Sequence, residues 1–377
     1  MKVFLDNAAT TPLNQEVIDV MLEVMKTKFG NPSSIHSYGR EVRSLIETSR
    51  KTVANLLNVS PSEIFFTSSG TEANNMAIYC TVRDLGIKHV ISSRIEHHAV
   101  THTLEELEER GLIKLSYVNI DAQGHVNLEH LQELLANNER SLVSLMHANN
   151  EIGTLLPIKK VSEICSKYNA IFHSDTVQSM GHYVHDLKNL NVHFVNCSAH
   201  KFHGPKGIGF IYINSNIKIH PFIFGGSQER NMRGGTENIY GIVGLAKALE
   251  IACKNLDMDM EYIKGLKSYM IAQLKEAIPR IRFNGDYENG LYTVLNVSFP
   301  PSEIGEMLLF NLDIEGIAAS GGSACSSGSN IGSHVLAGIN ADPNRSNVRF
   351  SFSRYNTKEE IDYTISILKQ LFPVSKV

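Results

Sequence analysis

The stretch His193–Ile213 reads HFVNCSAHKFHGPKGIGFIYI, and its reading decides the fold. Two apolar runs, HFVNC (193–197) and IGFIYI (208–213), enclose a polar segment that holds Ser198, His200 and Lys201 and closes on a Pro–Lys–Gly turn. Neither run alternates cleanly between apolar and polar residues. Such runs belong to strands buried on both faces, in a sheet covered by helices on either side. The same kind of run recurs upstream at IFFT (64–67), HVIS (89–92), KLSYV (114–118), SLVSLM (141–146) and AIFHS (170–174), and helical segments separate most of them. Strand–helix alternation of this kind predicts an α/β fold with a mainly parallel sheet flanked by helices. Two amphipathic helices precede the sheet. One carries Val17, Val20, Met21, Val24 and Met25 on a single stripe, and the other runs from Val42 to Leu57.

After Ile213 the pattern changes. Two long helical segments near 237–256 and 258–278 lead to the run LYTVLNVSF (291–299), then to NVRFSF (347–352) and a last helix at 357–371. This predicts a smaller α+β domain. The expected division is a large domain at 15–256 and a small one formed by 1–14 with 257–377, the first residues folding back onto it. A length of 377 residues suits two domains, at about 150 residues each.

Composition narrows the function. The net charge of −4 shows no basic excess, so no direct nucleic-acid binding is expected. The amino terminus MKVFLDNAATT has no long apolar stretch, and no segment approaches an unbroken apolar run of about 18 residues; neither a membrane span nor a cleaved signal is expected. Five cysteines at irregular spacing, with no CxxC pair, suit a reducing cytoplasm and neither a disulfide framework nor a metal site. Cys80, Cys165, Cys197 and Cys253 sit in apolar or helical surroundings and read as core. Cys325 does not, because SGGSACSSGS (320–329) surrounds it with Gly, Ala and Ser only.

In a parallel sheet, ligands bind beyond the carboxyl ends of the strands. The residues there are Ser68 to Thr71 after the first run, His97 and His98 after the second, and Asn149 and Asn150 after SLVSLM. Asp175 and Gln178 follow AIFHS, and Ser198, His200 and Lys201 follow HFVNC. Taken one at a time, these are ordinary caps and solvated loop residues. Together they supply a phosphate cradle at a helix start, a carboxylate and a lysine, which is the set pyridoxal 5′-phosphate requires. The lysine links to the aldehyde and the carboxylate faces the ring nitrogen. Lys206 lies between Pro205 and Gly207 in a tight turn, so Lys201 is the better placed of the two lysines. No GxxxxGK[ST], GxGxxG or HExxH occurs.

The motifs LDNAATTP, SSGTEANN, EHHAV, MHANNEIG, SDTVQS, SAHKFHGPKGIG, MRGGTENI, SACSS and VRFSFSRYNT, in this order from Phe4 to about Ile367, resemble class I cysteine desulfurases of the NifS/IscS type. These are fold-type I pyridoxal-phosphate enzymes of the class-V aminotransferase family. The resemblance implies that Lys201 carries the cofactor, His97 stacks on its ring, Asp175 faces the pyridine nitrogen and Gln178 the phenolic oxygen. It also implies that Gly70, Thr71, Ser198 and His200 hold the phosphate, and that Thr236 reaches the phosphate of a neighbouring subunit in a homodimer. Asn150 and Arg349 would grip the carboxylate of L-cysteine, Arg349 through its bidentate fork.

By the same resemblance, Cys325 is the nucleophile that takes sulfur from the substrate as a persulfide and delivers it to an acceptor protein. That acceptor would serve iron–sulfur cluster assembly or thiolation. A thiol with two destinations suits a Gly/Ser segment, and His97 is the expected base for it. Two departures stand out: Gly321 occupies a position where relatives more often have Ser, and the sequence stops at Val377 without the longer tail that contacts a scaffold protein in housekeeping members. Selenocysteine lyase, another class-V aminotransferase, and an inactive scaffold of a sulfur-transfer complex are the alternatives.

Overall fold

A computed structural model describes residues 1–321 and 332–373; Cys325 lies outside the described residues. In chain order the strands are β1 (Val3–Phe4), β2 (Ile64–Thr67), β3 (His89–Ser92), β4 (Lys114–Tyr117), β5 (Ser141–Ser144), β6 (Ile171–Ser174), β7 (Phe194–Ser198), β8 (Gly209–Ile213), β9 (Arg282–Asn284), β10 (Val294–Ser298), β11 (Ile317–Ala318) and β12 (Asn347–Ser351).

β2 to β8 form one sheet in the order β2-β8-β7-β6-β5-β3-β4. β8 runs antiparallel to both neighbours and every other pairing is parallel. The expected mainly parallel sheet is therefore present, and its seven strands fall where the apolar runs placed them. Alternate residues point to opposite faces, as the strand period requires. Ile64, Phe66, Phe172, Val195, Phe210 and Tyr212 enter the core on one face. Phe65, Ile171, Phe194, Ile211 and Ile213 enter the core on the other. Both faces are covered, so these strands read as continuous apolar runs. β4, at the edge, is the only one of the seven without a buried residue.

A second sheet places β10 between β9 and β12, antiparallel to each. Behind it lies a separate apolar core that includes Met270 and Leu274 from the helix Leu256–Ala277, and Ile361 and Ile365 from the helix Lys358–Leu371. β1 pairs in parallel with β11, and Asp6 bridges to Ser351. The opening residues thus lie against this second sheet. β9 and β11 are too short to show a sequence period, and neither is legible from the apolar pattern. Among the described residues no helix is long and apolar enough to cross a membrane.

One buried ion pair holds the segment after β8 against the large sheet. Arg50 Nη1 and Nη2 donate to the Glu229 carboxylate at 2.7 and 2.8 Å, and Phe66 N–H donates to the same carboxylate at 2.8 Å. Glu229, Arg230 and Asn231 all have positive φ (43°, 56° and 65°). Left-handed backbone at three successive non-glycine residues is costly, and the locked carboxylate holds it in place. Arg50→Met strands that carboxylate in the core, so it is expected to cost about 3–5 kcal/mol. Chemical denaturation of Arg50→Met beside wild type measures this loss; an unchanged midpoint would refute the assignment.

Candidate active site

β2, β3, β5, β6 and β7 run in one direction and bring five carboxyl ends to one edge of the sheet. A cavity of about 250 Å3 opens there. Gly70, Thr71, His97, Asn150, Asp175, Gln178, Ser198, His200, Lys201 and Arg349 all line it. These are ten of the twelve residues expected from the sequence. Of the other two, Cys325 lies outside the described residues. Thr236 lies on a separate, exposed surface beside Ser68, Gly207 and Arg233.

Lys201 is presented by the short turn that follows β7. Its Nζ donates to the carbonyls of Ala8 and Ala9 at 2.6 and 2.9 Å. The amino-terminal segment also clamps the turn itself. Thr11 N–H donates to His200 O at 2.9 Å, His203 N–H donates to Thr11 Oγ1 at 2.7 Å, and Asn14 N–H donates to His203 O at 3.1 Å. Lys206, in contrast, is exposed.

Asp175 sits at the end of β6, and its two oxygens have different partners. Oδ1 accepts from Val177 N–H at 2.9 Å and Oδ2 accepts from Asn74 Nδ2 at 2.7 Å. Asn74 Oδ1 in turn accepts from Asn196 Nδ2 at 2.8 Å, and Asn196 Oδ1 accepts from Thr176 N–H at 3.0 Å. A backbone N–H donates only, so the Thr176 bond fixes the orientation of both amides. The chain of bonds then has one direction, and it ends on a carboxylate that must accept. Asn74 and Asn196 were not singled out from the sequence. A signal existed: Asn74 is four residues after Gly70 on the same helical face, and Asn196 is two before Ser198 on the same strand face.

Donors for an anion also line the cavity. The helix Gly70–Leu85 starts there, capped by Ser69, whose Oγ accepts from Glu72 N–H. A Cβ on Gly70 would lie 2.6 Å from Val177 Cγ2, so only glycine lets the helix start approach this closely. Ser198 and His200 line the same region. Burial, reinforced by the nearby Lys201 charge, pushes His200 down to about 4, so it is neutral at physiological pH; its Nδ1 pairs with Thr10 Oγ1 at 3.1 Å.

His97 caps the helix His98–Glu109, its Nδ1 accepting from Ala99 N–H at 3.0 Å. Burial holds its pKa below the usual range, the Lys201 charge acting in the same direction. A neutral ring with Nδ1 accepting carries its proton on Nε2. His97 is thus a donor at Nε2 in this form, and the base role expected for it requires that its Nδ1 lone pair be released from the Ala99 N–H. Arg349 is 1% exposed. Its Nη1 donates to Asn150 O at 2.9 Å and its Nη2 to Asp6 Oδ1 at 2.8 Å, while Nε has no partner among the described residues. The fork expected to hold a carboxylate is partly engaged by the protein, and the buried Nε–H is left for a ligand.

Comparison with known proteins identifies the family. Residues 3–364 match the family Aminotransferase class-V. The chain belongs to the class-V aminotransferase family. Among its relatives in that family, the protein named cysteine desulfurase IscS of Dictyoglomus turgidum is 44% identical over 374 residues, covering 98% of this chain and 94% of the relative. A solved structure described as a NifS-like protein superposes with a TM-score of 0.91 at 37% identity, covering 98% of this chain and 99% of that one. Another, described as SspA in complex with cysteine, superposes at 0.82 with 30% identity, covering 94% and 100%. The class-V fold thus accounts for the sheet order and for the gathering of the site at its carboxyl edge.

Proposed function

We propose that this chain is a pyridoxal-phosphate-dependent cysteine desulfurase that converts L-cysteine to L-alanine and passes the sulfur through Cys325 to an acceptor protein. The observation that carries this reading is the cavity in which Lys201, a directed carboxylate at Asp175, and an Arg349 whose buried Nε has no partner among the described residues converge. The residues fit the cofactor. The glycine helix start with Ser198 and His200 suits its phosphate, Asp175 suits a protonated ring nitrogen, Gln178 suits its phenolic oxygen, and His97 suits its ring face. When bound, pyridoxal phosphate supplies an electron sink for the bonds at the substrate Cα.

The chain's own residues do the rest. Arg349 Nε–H and the Asn150 side chain take the substrate carboxylate, which orients the cysteine. Lys201 Nζ removes the Cα proton and later returns one. Neutral His97 offers its Nε2–H as a hydrogen-bond donor to the bound group. The Cys325 thiolate forms a bond to the substrate sulfur while the substrate C–S bond breaks. The electron pair of that bond stays with the carbon skeleton, which takes up protons and leaves as alanine.

The exposed position of Thr236, away from this cavity, supports the reading that it serves the site of a second copy in a homodimer. The deciding experiment measures L-alanine released from L-cysteine, together with mass analysis of the peptide that contains Cys325. Alanine with one added sulfur on that peptide is the expected result. Cofactor-loaded protein that releases no alanine would overturn the reading, and faster turnover of selenocysteine than of cysteine would redirect it to selenocysteine lyase.

A further inference from the structure

Away from the active site, a second cavity of about 480 Å3 lies along the helix Leu256–Ala277. Met260, Lys264, Lys267, Ser268, Ile271 and Lys275 line it from that helix. Their spacing of three, four or seven residues places them on one face. The residues at 287–290 and Tyr292 form the opposite wall, with Leu155 and Tyr183.

Lys267 is the unusual member. It is 4% exposed, and its ammonium donates to Leu291 O at 3.0 Å. An ammonium has three donors, and a buried charge is costly unless it is paired. Among the described residues none of the three lysines forms an ion pair. The neighbouring carboxylate, Asp286, is engaged elsewhere: it lies 3.3 Å from His125 Nε2 and accepts from Asn289 N–H at 3.0 Å. Glu288, also on the wall, is exposed. Burial pushes Lys267 down to about 8, which leaves it mostly protonated at neutral pH. Lys275 Nζ lies 5.4 Å from the Tyr287 ring centre, at the rim.

We propose that this cavity binds a small organic acid, its carboxylate seated on Lys267 with Lys264 and Lys275 at the rim. The apolar body of the ligand lies against Leu155, Met260 and Ile271. Three ammonium groups select an anion, and the aliphatic walls select one with a hydrocarbon portion over a bare inorganic ion. The site is separate from the desulfurase cavity, and its occupancy does not depend on the reading of that cavity.

The test is calorimetric titration of the cofactor-loaded protein with sodium octanoate, using octylamine and inorganic phosphate as comparison probes. One octanoate per chain is expected, with no octylamine binding and weaker phosphate binding. Lys267→Met is expected to weaken octanoate by about tenfold or more, the loss of one hydrogen bond to a charged group. The paired rim substitutions Lys264→Ala and Lys275→Ala leave the core untouched and are expected to weaken it several-fold, so the test survives if Lys267→Met fails to fold. Octylamine binding as tightly as octanoate, phosphate binding as tightly as octanoate, or octanoate binding unchanged in the rim variant would each overturn the proposal. Absence of octanoate binding at millimolar concentration would do the same.

Discussion

Lys201→Ala is expected to lower L-alanine release from L-cysteine by about a thousandfold or more, with little change in folding. In the proposed mechanism the side chain does two tasks that no neighbour duplicates: it would anchor the cofactor and move the Cα proton. Lys206 is exposed on the following turn and cannot substitute. Stability is expected to hold because the turn is fixed by backbone contacts to Thr11 and Asn14, not by the ammonium. Of the two carbonyls that Lys201 engages, Ala8 O keeps a second donor in Gln178 Nε2 at 3.0 Å. Three readouts on one preparation decide the matter: alanine release, visible absorbance of the bound cofactor, and the melting midpoint. Turnover within tenfold of wild type would remove Lys201 from the chemistry.

Asp175→Asn is expected to lower both turnover and stability, and the bond directions say why. Oδ1 and Oδ2 each face a donor that cannot turn round: Val177 N–H on one side, and on the other the Asn74 amide locked through Asn196 to Thr176 N–H. An asparagine amide has one oxygen and one NH2, so either orientation sets donor against donor. The expected stability loss is about 1–3 kcal/mol for one buried unmet group. Turnover should fall about a hundredfold or more, because the charge proposed to face the ring nitrogen is gone.

A second substitution separates the two effects. In Asp175→Asn with Asn74→Asp, the new carboxylate at 74 accepts from both neighbours, so the bond directions agree again. Stability is expected to return and turnover is not. Recovery of turnover in the double variant would show that Asp175 acts by geometry alone.

Much of this site was legible in the sequence because a parallel sheet gathers its carboxyl ends. Once the strands were placed, the polar residues following each one were neighbours by topology. The choice of Lys201 over Lys206 followed from the turn that holds Lys206. The clamp was not legible: Ala8 and Ala9 meet Lys201 across 193 and 192 positions, and their backbone carbonyls carry no side-chain signal. Lys267 was hidden differently. On a helix of mixed polarity a lysine reads as solvated, and only the packing of the 287–292 segment buries it. The partial engagement of the Arg349 fork by Asp6 and Asn150 likewise belongs to tertiary structure, since those residues come from three distant parts of the chain.

The clamp has a bearing on how the protein is made. Asn7 donates to Ser351 O across 344 positions, and Ala8 N–H to Ser351 Oγ across 343. The residues that steady Lys201 leave the ribosome long before their anchoring strand, β12. Closing so long a loop requires the intervening sheet to be in place. During synthesis the nascent chain can therefore build its large sheet early, yet its catalytic pocket stays unfinished until β12 has emerged. A ribosome stalled before Asn347 is expected to hold a folded sheet in which Ala8 and Ala9 are not yet anchored beside Lys201.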